Sequence, residues 1–311
     1  MRVFVTGASG WIGSAVAPEL LSAGHAVVGL ARSDASAGAL VGAGATVLRA
    51  SLDDLDAVAQ GAAGSDGVIH LAFKHDVAFS GDYLGAARAD RRVVEAIADA
   101  LSGSGRPFVV AAGTAGVALG RVATERDGHA AGVHELQLEE GPAFRHGTTE
   151  LVLGLAERGI RSSVVRLPPT CHGKGDNGLI AALVNLARAN GFSGYVGDGS
   201  NRWPAVHRLD AASMFVLALE MADAGSTLHA VAEEGVAIRD VAEVIGRHLG
   251  LPARSVARDD VADRFGFLAR FVGIDTPASS RVTRELLGWE PSHAGLVEDL
   301  EQGHYFVSVP R

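Results

Sequence analysis

Through the first half of the chain, short and continuously apolar runs alternate with longer stretches in which apolar residues recur every three or four positions. The apolar runs predict strands at 2–6, 26–31, 46–49, 67–71, 107–111 and 161–166. The helical periodicity predicts helices at about 11–23, 34–42, 53–62, 82–103 and 144–158, with Gly24, Gly64 and Gly159 placed where helix C-termini favour glycine. Strands apolar on both faces and separated by helices imply a parallel sheet covered on both sides. The expected class is therefore α/β, a doubly wound (Rossmann) sheet whose ligands bind at the carboxyl ends of the strands.

Beyond Arg166 the rhythm changes. Pro168, Pro169, Gly173, Gly175 and Gly178 mark a long loop, and helical patterns follow near 178–190, 210–222, 238–249, 259–270, 279–287 and 295–302 with little strand between them. This predicts a dinucleotide-binding domain over 1–166 and a smaller, mainly helical substrate lobe over 167–311, with part of 203–222 packing back on the first domain. A cleft shared by two such lobes is a common place for a pocket.

Composition narrows the partners. Of 311 residues 48 % are hydrophobic and 20 % charged, enough apolar material for a core, and the net charge of −9 gives no footprint for nucleic acid or an anionic membrane. No apolar run is long enough to span a bilayer. A single cysteine, Cys171, fits a reducing compartment, and a strand pattern that starts at residue 2 leaves no room for a secretion signal; the expectation is a cytoplasmic protein. Twelve scattered histidines without HExxH or a cysteine cluster argue against a metal site. The expected partner is a small-molecule substrate.

The strongest chemical signal is at the start. The first strand runs into Gly7, Gly10 and Gly13, in the sequence TGASGWIG, and then into a helix. The three glycines serve a sharp turn, close backbone approach to a pyrophosphate, and close packing of helix on strand; Ser9, Trp11 and Ile12 fill the turn between them. The helix start then offers free N–H groups and a positive dipole end to phosphates. At the end of the second strand, where an NAD site places an acid for the ribose 2′-hydroxyl, stand Ala31, Arg32 and Ser33. A guanidinium binds a 2′-phosphate that a carboxylate would repel, which points to NADP(H).

With these residues in place, the chain resembles the extended and atypical short-chain dehydrogenases/reductases related to NAD-dependent epimerase/dehydratases, over nearly its whole length. TGASGWIG is similar to the family's TGxxGxxG turn, and GVIHLAF to its fourth strand, so that Leu71, Ala72 and Phe73 would flank the cofactor, with Lys74 at the same edge. Ser51 and Leu52 fall where residues border adenine. VVRLPPTCHGKGDNG, including Pro168, resembles the loop passing the nicotinamide, and GDGSNRWPAVHRLDAA and ELLGWEP resemble later family segments. The resemblance implies that His207 and Asp210 brace the fold, and that a homodimer would form through sheet-flanking helices.

The catalytic part departs from that pattern. The family uses a tyrosine four residues before a lysine on one helix; here Tyr83, Tyr195 and Tyr305 are each followed four residues later by something else. The expected helix reads GPAFRHGTTELVLGLAERG; aligning Glu150 with a usual acid puts His146 in the lysine's place and Pro142 in the tyrosine's, and a shift of one residue puts Arg145 there instead. Substitute candidates are Thr114 after the fifth strand, as a hydroxyl for a substrate oxygen, and His146 and His172 as proton donors near neutrality. His75 and Asp76 follow Lys74, and Arg202 and Trp203 are candidates to border substrate, Trp203 as a stacking platform. Nothing beyond its position next to His172 supports Cys171 as a nucleophile. The expected function is an NADPH-dependent reductase of a small carbonyl, imine or conjugated alkene. Its alternatives are a catalytically inactive NADP(H)-reading sensor and a nucleotide-sugar epimerase/dehydratase.

Overall fold

The computed structural model describes residues 1–118, 120–128 and 141–307. Six strands, β1 (Arg2–Thr6), β2 (Ala26–Ala31), β3 (Thr46–Arg49), β4 (Gly67–His70), β5 (Pro107–Gly113) and β6 (Arg161–Leu167), alternate with helices α1 (Gly13–Ser22), α2 (Asp34–Gly42), α3 (Leu55–Ala63), α4 (His75–Phe79), α5 (Tyr83–Leu101) and α6 (Gly141–Gly154). All strand pairs in the central sheet are parallel, and the order is β6-β5-β4-β1-β2-β3, with a seventh strand, Ser226–His229, paired outside β6. The order reverses at β1, so the carboxyl ends of β1, β2 and β4 open a crevice, the usual ligand position in such sheets.

Alternation along each strand sorts the core into two layers. Val3, Val5, Val27 and Val165 point to the face covered by α1 and the helix Arg208–Met221. Phe4, Val28, Leu30 and Val164 point to the face covered by α3, α5 and α6. Each fully buried Val, Leu or Phe side chain adds roughly 1.5–3 kcal/mol, so both faces are held chiefly by burial.

The lobe is mainly helical, as expected, and also carries strands that the sequence pattern did not predict: a three-stranded sheet, Glu233–Ala237, Arg202–His207 and Thr170–His172, and a parallel pair, Ala253–Val256 with Ser193–Val196. These strands are three to six residues long, too short for a distinct alternating pattern. The chain passes between the sheet and the lobe more than once. It leaves the sheet after Leu167, returns through Arg208–Met221 and Ser226–His229, and returns again with Leu287 and Trp289, which pack into the α1 layer. The lobe's own core gathers around Ile180, Leu183, Trp203, Val241 and Ile245. Among the described residues, no helix is long and apolar enough to cross a membrane.

Candidate functional site

β1 ends at Thr6, and Gly7 turns the chain at φ +70°. A Cβ on Gly7 would stand 2.8 Å from the Ala72 nitrogen, and one on Gly13 would stand 2.1 Å from the Gly7 oxygen, so both positions require glycine. No side chain caps α1; Ser14 and Ala15 N–H donate to the Gly10 and Ile12 carbonyls, and Trp11, Ile12 and Gly13 ahead of them line the crevice at the positive end of the helix. Beneath the turn runs a buried chain of hydrogen bonds. Ala72 N–H donates to Thr6 Oγ1 (3.4 Å), Thr6 Oγ1 pairs with His70 Nδ1 (2.6 Å), and His70 Nε2 pairs with Asp90 Oδ1 on α5 (3.1 Å). This brace ties β1, β4 and α5 together under the phosphate-binding position; nothing local in the sequence marks His70 and Asp90 as partners.

A cleft of about 670 Å³ lies over the turn and extends across the strand ends in both directions. On the β2–β3 side it is lined by Arg32, Ser36, Ser51, Leu52 and Asp53. Lys74 and Asp76 arrive there from the β4 loop: Lys74 Nζ lies 2.5 Å from Asp53 Oδ1, and Arg32 Nη1 lies 3.7 Å from Asp76 Oδ2. Two cations thus face this end of the cleft, each held by a carboxylate from the opposite wall. Ser33 is placed differently from the expectation. Its hydroxyl caps α2, accepting from Ser36 N–H at 3.2 Å, and its carbonyl takes a hydrogen bond from Arg49, so it serves the helix start behind Arg32.

On the β4–β5 side the lining includes Leu71, Ala72, Phe73, His75, Ala111, Gly113, Ala115, Arg145, Leu167, Pro168, Pro169 and Cys171. Arg145 lays its guanidinium over the Phe73 ring, 4.0 Å from the centroid, with Nη2 3.5 Å from the Ala111 carbonyl. His75 meets the same ring edge-on at 5.1 Å, and Tyr83 lies 5.8 Å away. Burial, and then the Arg145 charge, hold the His75 imidazole below its ordinary pKa. Trp11 joins this side to the lobe: its Nε1–H donates to the Cys171 carbonyl (2.8 Å), and the Arg208 guanidinium covers its ring at 4.3 Å. Burial pushes the Cys171 thiol well up, which disfavours the thiolate that a nucleophile needs.

The other expected residues divide. His146 sits one residue past the guanidinium that lines the cleft. Its Nε2 is 4.0 Å from the position a Gly116 Cβ would take, facing the loop after β5, and burial together with Arg166 and Arg145 depresses its pKa. Thr114 is 2 % exposed, just behind the lining residues Gly113 and Ala115, and its Oγ1 has no hydrogen-bond partner. His172 is away from the cleft: 1 % exposed, it bonds through Nδ1 to Asp299 (3.0 Å), which also accepts from His304 (2.9 Å). Arg202 is engaged by Asp275 through its backbone N, Nε and Nη2, Trp203 is 2 % exposed within the lobe core, and neither lines the cleft. Pro142 lies on α6, outside the residues whose side chains are described.

Next to Thr114 the segment 121–128 is pinned from below. Glu125 accepts from the Thr283 backbone N–H and hydroxyl, both at 2.7 Å, and the buried Arg166 donates to the Asp127 carbonyl at 2.7 Å and faces His229 Nε2 at 3.4 Å. His229 Nδ1 faces the Ser279 carbonyl (2.8 Å), which requires the proton there; burial lowers this imidazole to about 4, and it stays neutral. Among the described residues, no group of His, Cys, Asp or Glu is arranged to hold a metal ion.

The glycine turn, sheet order and crevice find a match across the chain. The model of the NAD-dependent epimerase/dehydratase family fits residues 3–232. The chain belongs to that family. Two yeast relatives are similar nearly end to end: an uncharacterized protein, C2A9.02, of Schizosaccharomyces pombe, 45 % identical with 98 % of this chain and 100 % of that one covered, and an uncharacterized protein, YLL056C, of Saccharomyces cerevisiae, 44 % identical with 98 % and 99 % covered. Among solved structures, the fold is shared with a UDP-glucose-4-epimerase from Stenotrophomonas maltophila with bound NAD and formylated UDP-arabinopyranose (TM-score 0.75, 21 % identity, 98 % and 97 % covered). It is likewise shared with the Thermus thermophilus UDP-glucose 4-epimerase in complex with NAD (TM-score 0.72, 18 % identity, 99 % and 100 % covered).

Proposed function

We propose that the protein binds a nicotinamide dinucleotide, prefers NADP(H), and works as an oxidoreductase that reduces a small carbonyl, imine or conjugated alkene. The observation that carries this reading is the continuous cleft, with the cations Arg32 and Lys74 at one end, the glycine turn in the middle and Arg145 at the other. The residues present suit a dinucleotide: Gly7 and Gly13 admit no Cβ, and the open start of α1 suits a pyrophosphate. Arg32, at the end of β2, has no carboxylate neighbour on its own strand to repel a 2′-phosphate.

When bound, the reduced nicotinamide supplies a hydride to the substrate carbon and is left oxidised, while the substrate heteroatom or adjoining carbon takes up one proton. The chain's own residues do the rest. Phe73, Pro168 and Pro169 give the reacting end apolar walls, and Arg145 places a positive charge there. His146 faces the loop after β5 and does not line the cleft, so in this reading it delivers the proton through an intervening water, and Thr114 offers a hydroxyl with no competing partner among the described residues. The family's tyrosine–lysine pair is absent from the sequence, which speaks against sugar epimerisation through its usual oxidation step.

The test is a panel of aldehydes, ketones, imines and enones with purified protein, following NADPH consumption. Turnover with at least one class supports the reading. Tight NADPH binding with no turnover across the panel favours the sensor reading instead.

A further inference from the structure

Carboxylates and cations are sorted unequally along the cleft. Both lining aspartates, Asp53 and Asp76, are on the adenosine side, and each already faces a cation, Lys74 or Arg32. At the opposite end the lining is apolar or uncharged apart from Arg145 and the half-buried His75. Among the described residues no carboxylate lies within ion-pair distance of Arg145; its contacts are the Phe73 ring and the Ala111 carbonyl at 3.5 Å, a long hydrogen bond. Its field is felt locally, since after burial it is the next cause of the depressed His75 pKa.

A guanidinium held over an aromatic ring is restricted in its motion, and its N–H fork is able to receive a carboxylate through two parallel bonds. A half-buried charge without a carboxylate partner among the described residues is costly, and a ligand anion offsets that cost. The same cleft is lined by the small or apolar residues Ala111, Ala115, Pro168 and Pro169, which offer a carboxylate no competing charge. We infer that the substrate is a small carboxylic acid carrying its reducible carbonyl next to the carboxylate, a 2-oxo acid, and that Arg145 is its anchor. This deepens the reductase reading and rests on it for the reaction, though not for the binding.

The binding is measured with oxamate, an unreactive 2-oxo acid analogue, and with its neutral ethyl ester, each titrated into the protein–NADPH complex. The wild type is expected to bind oxamate at least about tenfold more tightly than the ester, as hydrogen bonds to a charged partner imply. Arg145→Gln is expected to bring the two affinities within about twofold, and Arg145→Lys, with charge but no fork, to fall between. Equal affinity of the wild type for acid and ester overturns the inference, as does a preference that survives in Arg145→Gln. Should Arg145→Gln fail to fold, the wild-type ratio and Arg145→Lys still decide it. Separate titration with NADPH tests the cofactor reading. If NADPH does not bind, the same acid-to-ester ratio is measured on the protein alone: a preference lost in the Arg145 variants sustains the anchor, and no preference removes it.

Discussion

The guanidinium of Arg32 stands 3.7 Å from the carboxylate of Asp76, a residue brought from the other side of the glycine turn by the loop after β4. Both side chains are mostly exposed, so the pair is weak and can exchange partners. A ribose 2′-phosphate, with its greater charge, is the stronger competitor for the same guanidinium. Arg32→Ala is therefore expected to weaken NADPH binding by about tenfold or more and NADH binding by less than about threefold, read by calorimetry. Equal losses for the two cofactors would remove Arg32 from the specificity site.

His146 carries a pH signature. Burial and two neighbouring arginines disfavour its protonated form, so its pKa lies below the ordinary 6.5. As a proton donor it is active only while protonated, so the reduction rate should rise as pH falls, with a midpoint below 6.5. His146→Gln should flatten that limb while leaving NADPH affinity within about twofold, since one imidazole outside the phosphate site adds little to binding. An unchanged pH profile in the variant would take His146 out of the mechanism.

Asp299 links the C-terminal segment to the lobe. Burial alone would raise its carboxyl pKa, but hydrogen bonds from His172 and His304 outweigh this and hold it below 3.8. A carboxyl depressed in the folded state contributes stability that is complete above its unfolded pKa and is lost as pH falls through the folded value. Asp299→Ala should therefore cost about 3 kcal/mol at neutral pH, with the difference from wild type shrinking as pH falls below 3.8 through the depressed pKa. Denaturant titrations at neutral pH and below that pKa check both parts, and a difference independent of pH contradicts the assignment.

Cys171 lines the cleft, yet burial holds its thiol in the protonated form. Alkylation by iodoacetamide at pH 8 should run at least about tenfold slower in the native protein than after unfolding, because the thiolate is the reactive species. Equal rates by mass spectrometry would show an accessible thiolate and reopen the nucleophile reading.

Much of this protein is written locally. Continuous apolar runs bounded by helical periods specify β1 to β6 and their parallel pairing, because a strand covered on both faces leaves that pattern wherever it occurs. The glycine turn is legible for the same reason: Gly7 and Gly13 answer steric demands that arise within a few residues. The placement of Arg32 at the end of β2 follows from strand length alone.

Other features exist only once distant segments meet. Arg145 and His146 are neighbours in sequence, but one helical step rotates a side chain by about 100°, and only packing of α6 decides which one lines the cleft. His172 and Trp203 suit a site by residue type; contacts with Asp299 and with the lobe core bury them instead. Arg202 finds Asp275 across 73 positions, and His70 finds Asp90 across 20. Local pattern determines backbone conformation and which face is apolar, whereas the partner of a polar group depends on which segments the tertiary fold brings within about 3 Å, and no local period encodes that distance.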